Sequence, residues 1–173
     1  MGIIKPENLD VLINTNPLQE YEREILATDR FSIEDVNPIL LGLYGEVGSI
    51  MAASKKYHRE KNAYPTYKKA VEEEFGDAFW YFSALCRRLN IKLEDIFEEV
   101  SNEADIKIKS ANDQECSPVS RSITPSQAEN LDSALIDLGY MAAKLLKIEK
   151  DTPDVRNNLI DFALLYLQEI QLT

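Results

Sequence analysis

Several residue types that build common functional sites are scarce in this sequence of 173 residues. Two cysteines and one histidine are too few for a disulfide framework or a zinc site. Cys86 falls in a helical pattern and is expected to be a buried apolar filler, while Cys116 falls in a polar stretch, so a reducing cytoplasm is the predicted location. No glycine-rich P-loop and no Ser–His or Cys–His pairing is apparent, which disfavours those routes to catalysis.

Positive charge is scarce as well, with 19 Lys and Arg against 30 Asp and Glu and a formal net charge of −11. This balance argues against nucleic acid or an anionic membrane as the main partner, because both carry phosphate groups. It leaves a nucleotide open as a ligand, since a bound divalent ion reverses the local charge. The first residues lack the apolar core of a signal peptide, and no apolar run reaches the length of a transmembrane helix, so a soluble cytoplasmic protein is expected.

The composition is typical of a helical protein, and apolar residues recur about every 3.6 positions. We therefore predict an all-α fold of the four-helix-bundle type. Residues 1–109 are expected to hold the metal-binding helices, 110–123 a linker, and 124–173 a second helical hairpin that completes the bundle. Helices are predicted over residues 18–30, 37–57, 67–89, 93–109, 124–148 and 154–172.

Capping signals mark several of these helix ends. Asn37-Pro38 is predicted to be an N-cap followed by proline at the first helical position, and Asn90 can close the helix that begins at residue 67. Residues 124–127, Thr-Pro-Ser-Gln, match a capping box.

The last two predicted helices resemble the central pair, which suggests a degenerate internal repeat. Met141-Ala142-Ala143 echoes Met51-Ala52-Ala53 at a spacing of 90 residues. Asp161-Phe162-Ala163 echoes Gly76-Asp77-Ala78 at a spacing of 85 residues. In these two alignments every candidate ligand of the first hairpin has an apolar or missing side chain in the second: Ile136 stands at Glu46, Gly139 at Ser49, Leu159 at Glu74 and Phe162 at Asp77. The alternative interpretation is that any two amphipathic hairpins look alike.

Carboxylates interrupt the apolar stripes of the helices predicted over 37–57 and 67–89. Glu74 falls inside its stripe, Asp77 lies along the edge, and Glu46 stands between apolar residues of the preceding helix. Glu74 and Asp77, like Glu46 and Ser49, are three residues apart, so the two pairs can meet across an antiparallel hairpin. Because carboxylates in a helical seam are costly to desolvate, their convergence predicts a cation that neutralises them. Three carboxylates and a hydroxyl suit Mg²⁺, or Mn²⁺.

The single histidine argues against a di-iron site of the kind that helical bundles also hold. Those sites use Glu-x-x-His pairs, and His58 has Lys55 three residues before it. A magnesium site with open positions can polarise a phosphoryl oxygen and activate water. Metal-dependent hydrolysis of a phosphoanhydride is therefore the reaction that these residues suit best.

The stretch between the two acidic helices is basic, with Lys55, Lys56, Arg59 and Lys61 close together. The cations either suit the C-terminus of a helix or form a lid whose ammonium groups meet phosphates. Gly45 and Gly48 flank Glu46, and glycine costs about 1 kcal/mol relative to alanine inside a helix, so both are expected to serve close helix packing or close ligand approach. Phe79 and Trp80 are expected in the core rather than stacked on a base.

Residues 42–49, Gly-Leu-Tyr-Gly-Glu-Val-Gly-Ser, together with residues 73–81, Glu-Glu-Phe-Gly-Asp-Ala-Phe-Trp-Tyr, resemble the MazG-like all-α nucleoside triphosphate pyrophosphohydrolases. The hallmark of that family is Glu-Glu-x-x-Glu, a spacer, and Glu-x-x-Asp, and the resemblance covers roughly residues 21–109. It implies a helical bundle that binds Mg²⁺ and cleaves a nucleoside triphosphate to the monophosphate and pyrophosphate. A house-cleaning role on deoxynucleotides and assembly as a homodimer or higher homo-oligomer are implied in the same way.

The resemblance assigns roles to particular residues of this sequence. It implies Glu46, Glu74 and Asp77 as metal ligands. It implies substrate contacts for Tyr81 and, on the following helix, for Asn102 and for Lys107 or Lys109. To these we add Lys55 and Lys56 of the basic stretch.

Two residues depart from the family pattern. Gly45 replaces the first Glu, and Ser49 replaces a Glu that binds metal or activates water. The Ser49 hydroxyl could ligate Mg²⁺ weakly or hold a water, but it cannot be a general base at neutral pH. Either Glu46 or Glu73 takes over that role, or the protein is a catalytically weakened or inactive nucleotide-binding or assembly protein.

Overall fold

The computed structural model describes residues 15–112, 131–148 and 152–172. All regular secondary structure in these ranges is helical, which confirms the predicted all-α fold. A 3₁₀ turn, Lys61–Ala63, follows the second of six α-helices: α1 (Thr15–Thr28), α2 (Asn37–Glu60), α3 (Tyr67–Arg88), α4 (Leu93–Asn112), α5 (Leu131–Leu145) and α6 (Pro153–Leu172). Within the described ranges, none of these helices is both long and apolar enough to cross a membrane.

The predicted helix ends lie within a few residues of the observed ones, with two corrections. Asn37 is not the N-cap: Val36 takes that position, because its carbonyl accepts a hydrogen bond from the Leu40 amide at 3.0 Å. The helix predicted to end at residue 109 is also longer than expected, since α4 continues to Asn112. Asn90 does close α3, with a left-handed φ of +56°. The remainder of the linker and the capping box at 124–127 lie outside the described residues.

The core lies where two helical hairpins meet. Helix α2 packs on α3 and α5, α6 packs on α5 and α4, and α1 contacts α3 and α4. Aromatic rings fill the space between α3 and α6, with Phe75 next to Tyr166 (centroids 5.4 Å apart) and Phe82 stacked on Phe162 (5.3 Å). The Tyr166 hydroxyl donates a hydrogen bond to the Phe75 carbonyl at 2.7 Å. The α5–α6 hairpin therefore packs against α2, α3 and α4.

Three further predictions concern side chains of α3. Phe79 and Cys86 are buried in the core, as expected. Trp80 is only half-buried, because its indole N–H reaches out of the core to the Thr28 hydroxyl at 2.9 Å. That bond ties α3 to the end of α1.

The first half of the predicted repeat, which aligns α5 with α2 at a spacing of 90 residues, does not match in its buried faces. Six apolar residues of α5 are buried: Ala134, Leu135, Leu138, Met141, Ala142 and Leu145. At a spacing of 90 residues they align with positions 44, 45, 48, 51, 52 and 55 of α2, all of which are exposed. Ile136, aligned with Glu46, is 63% exposed. Helices α5 and α2, aligned in this way, therefore bury different faces.

An ion-pair clasp fixes the connection between α1 and α2 to the end of α3. The buried Arg88 guanidinium donates to both carboxylate oxygens of Asp29, at 2.6 and 3.1 Å, and to three backbone carbonyls within residues 31–35. Arg87 donates to the same carboxylate at 2.7 Å. Burial opposes ionisation of Asp29, but the hydrogen bonds from Arg88 and Arg87 outweigh it and hold the pKa of this carboxyl below its usual range. The clasp therefore holds α1 against α3.

Candidate metal centre

Helices α2 and α3 run antiparallel because the connection between them is short, and their middles lie side by side. Glu46 projects from the middle of α2, and Glu74 and Asp77 project from α3 one turn apart. One carboxylate oxygen from each residue lies within 4.8 Å of the other two. Within the described ranges, no other group of three acidic, histidine or cysteine side chains converges in this way. The structure thus brings together the three residues that the sequence predicts as ligands, here called the triad.

The electrostatics of the triad fit a bound cation. Glu46 and Glu74 are half-buried and Asp77 is exposed. Burial, a hydrogen bond with Glu74, and the charges of Glu74 and Asp77 raise the pKa of Glu46 to about 7. A divalent cation would remove this repulsion, and an all-oxygen donor set suits Mg²⁺ or Mn²⁺. Charge and donor type therefore both agree with the predicted metal.

Tyr81 lies beside the triad because α2 has no side chain at Gly42. A Cβ atom at Gly42 would stand 2.1 Å from Cε1 of the Tyr81 ring, so only glycine allows the ring to lie there. Burial and the charges of Glu46 and Asp77 raise the pKa of Tyr81. The phenol therefore stays protonated and can donate a hydrogen bond next to the carboxylates.

Gly45 and Gly48 do not serve close helix packing, which corrects that part of the prediction. Both are exposed, and a Cβ atom at either position would meet no atom within 4 Å. The position in α2 that needs glycine for packing is Gly42, three residues before the first of them.

The two other candidates for catalysis differ in their relation to the triad. Ser49 is half-buried and lies three residues after Glu46 on α2, so it is near enough in sequence to stay a predicted ligand. Glu73 is exposed, and its carboxylate does not belong to the triad.

Of the other predicted substrate contacts, the two lysines of α2 lie away from the triad. Lys55 and Lys56 are about 14 Å along α2 from Glu46, at 1.5 Å per residue. The Lys56 ammonium stands over the ring of Tyr64, 4.1 Å from its centroid. Asn102 is exposed on α4, which packs on α6 and α1. Lys107 and Lys109 lie in α4, but their side chains are outside the described residues.

Tyr21 is a neighbour of the triad that the sequence did not reveal. Its ring stacks on Phe79 with centroids 5.0 Å apart. Burial and the charges of Glu24 and Asp77 raise the pKa of its phenol, which therefore stays neutral close to Asp77. The helical period of α1 predicts only that Tyr21 faces inward; its position near Asp77 depends on a contact between residues far apart in the sequence.

Comparison with known proteins gives two relatives. No family model matches the chain, and no solved structure matches it. The gene 37 protein of Mycobacterium phage L5 is 31% identical over 90 residues, which are 51% of this chain and 75% of that protein. The "Putative flagella-related protein C" of Methanocaldococcus jannaschii is 31% identical over 111 residues, 64% of this chain and 75% of that protein.

Neither of these names states a substrate, a cofactor or a reaction. Both relatives are more than 30% identical to the chain and are matched over three quarters of their length. The chain therefore belongs to a family with the phage L5 gene 37 protein and the Methanocaldococcus jannaschii protein.

Proposed function

We propose that this protein is a Mg²⁺-dependent nucleoside triphosphate pyrophosphohydrolase that cleaves a (deoxy)nucleoside triphosphate to the monophosphate and pyrophosphate. The observation that carries the proposal is the convergence of Glu46, Glu74 and Asp77 within 4.8 Å on one helical seam. The motif at residues 42–49 and 73–81, which resembles that of MazG-like enzymes, supplies the reaction class.

The triad would hold the cation through three carboxylate oxygens from two helices. A bound Mg²⁺ would polarise a phosphoryl oxygen and lower the pKa of a coordinated water. Because Mg²⁺ takes about six ligands, three protein oxygens leave positions for substrate phosphates and water. Asp77 is exposed, so this side of the triad is open to a substrate from solution.

The neighbouring side chains would orient the substrate. The Tyr81 phenol, which burial and the carboxylates keep protonated, can donate a hydrogen bond to a phosphate or sugar oxygen. Of the two candidates for water activation, Glu46 stands in the triad and Glu73 lies outside it. We therefore assign proton acceptance to Glu46.

Ser49 favours a second candidate function, a weakened or inactive descendant that binds nucleotide without cleaving it. A serine hydroxyl does not accept a proton at neutral pH, so it cannot replace the Glu that the resemblance places there. In this case the triad would still bind the cation and the nucleotide, but hydrolysis would be slow or absent.

The direct test measures pyrophosphate release from a panel of ribo- and deoxynucleoside triphosphates with Mg²⁺ or Mn²⁺. Inorganic pyrophosphatase and malachite green detect pyrophosphate, and omission of the pyrophosphatase shows any direct phosphate release. Glu74→Gln should abolish activity because it removes a ligand. Glu98→Gln, at an exposed position of α4, is the matched control and should retain it.

Two further measurements separate the candidate functions. Nucleotide binding by calorimetry without release from any substrate would overturn the enzyme and support the inactive descendant. A large gain in rate in Ser49→Glu would show that the natural site is weakened by its serine. A purely structural bundle predicts no thermal shift with Mg²⁺ and nucleotide.

A further inference from the structure

Positive charge in this acidic protein is concentrated at one end of the α2–α3 hairpin. Residues 55–69 comprise the last turns of α2, the 3₁₀ turn and the start of α3, and are here called the hairpin tip. The tip contains one acidic residue of the chain's 30 and six of its 19 basic residues: Lys55, Lys56, Arg59, Lys61, Lys68 and Lys69. Its charge is therefore opposite in sign to that of the whole chain.

Helix stability explains only part of this cluster. Arg59 lies in the last turn of α2, where a cation is favourable, and it pairs with Glu60 at 2.6 Å. Lys68 and Lys69 lie in the first turn of α3, where the helix dipole disfavours cations and no acidic residue is present. Among the described residues, no ion pair involves these two lysines. Their positions are unfavourable for the helix, so stability does not account for them.

Aromatic rings are interleaved with the cations of the tip. Tyr57 stacks on Tyr67 with centroids 4.4 Å apart and an angle of 21° between the rings. Tyr64 packs against the same ring of Tyr67 at 5.9 Å and carries the Lys56 ammonium. Tyr67 covers one face of Tyr57, yet 41% of Tyr57 is exposed. The tip therefore combines a partly exposed tyrosine ring, stacked on Tyr67, with a cluster of basic residues close in sequence.

We propose that the hairpin tip binds single-stranded nucleic acid, with its lysines at the phosphates and the exposed ring of Tyr57 stacked on a base. Lysines that follow the backbone and aromatic rings that stack on bases are the combination by which proteins bind single strands without sequence preference. A duplex keeps its bases in the helical stack and would not use Tyr57. An anionic membrane would also attract the lysines, and the vesicle measurement described below distinguishes it from a single strand.

The net charge of −11 does not oppose this proposal. That value averages over the chain and disfavours nucleic acid as a partner for the surface as a whole. Glu46 of the triad is about 14 Å along α2 from Lys55, beyond the screening length of about 8 Å at physiological ionic strength. Glu74 is about 7.5 Å along α3 from Lys69, so the acidic residues that follow the tip in α3 offset part of its positive field there.

The test is fluorescence anisotropy of a labelled oligothymidylate with the full chain in EDTA, so that the result is independent of any metal at the triad and of the proposed hydrolysis. We expect saturable binding that weakens with salt. Lys68→Gln/Lys69→Gln should weaken it about tenfold and reduce the log–log salt slope by about 1.4, because each phosphate contact contributes about 0.7. Lys144→Gln/Lys147→Gln, at exposed positions 144 and 147 beyond the tip, is the matched control and should bind like the wild type.

A second pair of variants tests the stacking. Tyr57→Phe keeps the ring and should bind like the wild type, while Tyr57→Leu should bind at least about fivefold more weakly. Thermal unfolding of both variants checks the fold. The proposal is overturned by an absence of saturable binding at low salt, by equal affinities of the two Tyr57 variants, or by equal affinity for the duplexed oligonucleotide. Binding to phosphatidylserine vesicles without binding to the oligonucleotide would overturn it in favour of a membrane surface.

Discussion

The two hairpins of the bundle pack in similar ways but differ in what their seams contain. The α2–α3 seam holds three carboxylates that meet one another, whereas α6 buries apolar side chains such as Leu159 and Phe162 in the core. Glu169 of α6 is also buried, but it stands outside any such cluster in the described residues. Convergence, rather than burial of an acid, is therefore what distinguishes the first hairpin. The core contacts of the second hairpin contribute stability that offsets the repulsion among the three carboxylates of the first.

The largest expected loss of stability follows from placing a carboxylate in the core of the second hairpin, where the described residues form no acidic cluster. Leu159 is fully buried, so Leu159→Glu would place a charge in apolar surroundings without a cation to neutralise it. We expect a loss of about 5 kcal/mol in the free energy of unfolding, measured by urea denaturation at neutral pH. Leu159→Met, which keeps the volume, is the control. Equal stability of the Glu variant and the wild type would mean that water reaches this seam.

Each hairpin also carries an arginine ion pair, and the two pairs should differ in strength. Asp29→Ala would leave the buried Arg88 guanidinium without its carboxylate and should cost about 3–5 kcal/mol. The pair of Arg156 and Glu99 joins α6 to α4 at 2.7 Å, and both side chains are about 40% exposed. Glu99→Ala should therefore cost at most about 1 kcal/mol. Similar losses in the two variants, measured by urea denaturation, would contradict the assignment of the clasp as buried.

Gly42 and Gly45 give a matched pair within α2. Gly42→Ala would push Tyr81 from its place beside the triad and should cost about 1–3 kcal/mol. Gly45→Ala meets open space and should stabilise the helix by about 0.5–1 kcal/mol. Thermal unfolding of both variants checks the opposite signs, and stabilisation by Gly42→Ala would show that the ring moves without cost.

The smallest expected effect is a pH dependence that arises in the first seam. The folded protein without metal holds the pKa of Glu46 at about 7, above the usual value of 4.5. The folded state therefore keeps a proton that the unfolded chain has lost, and stability should decline from about pH 4.5 to about pH 7 and then level off. Glu46→Gln should remove this part of the decline and raise the unfolding midpoint at pH 8 by a few degrees. With Mg²⁺, the wild type should gain more at pH 8 than at pH 6, because protons compete for the ligand; no such difference would contradict the triad as the binding site.

The features that the sequence predicted well depend on local spacing. Glu74 and Asp77 share a helix face because they are three residues apart, and a short loop brings them to Glu46. The register that aligned α5 with α2 failed because it rested on the shared Met-Ala-Ala stretch, whereas the apolar stripe of α5 falls on exposed positions of α2. The approach of Tyr21 to Asp77 was missed because it depends on a contact between residues far apart in the sequence.

The contact between Gly42 and Tyr81 has a consequence for how the sequence can evolve. Because a Cβ atom at position 42 and an aromatic ring at position 81 would occupy the same space, neither residue can change freely while the other stays. In relatives that share this hairpin, we expect glycine at position 42 to accompany an aromatic residue at 81, and a larger residue at 42 to accompany a small one. The two positions, 39 residues apart in the sequence, are therefore expected to co-vary at the edge of the triad.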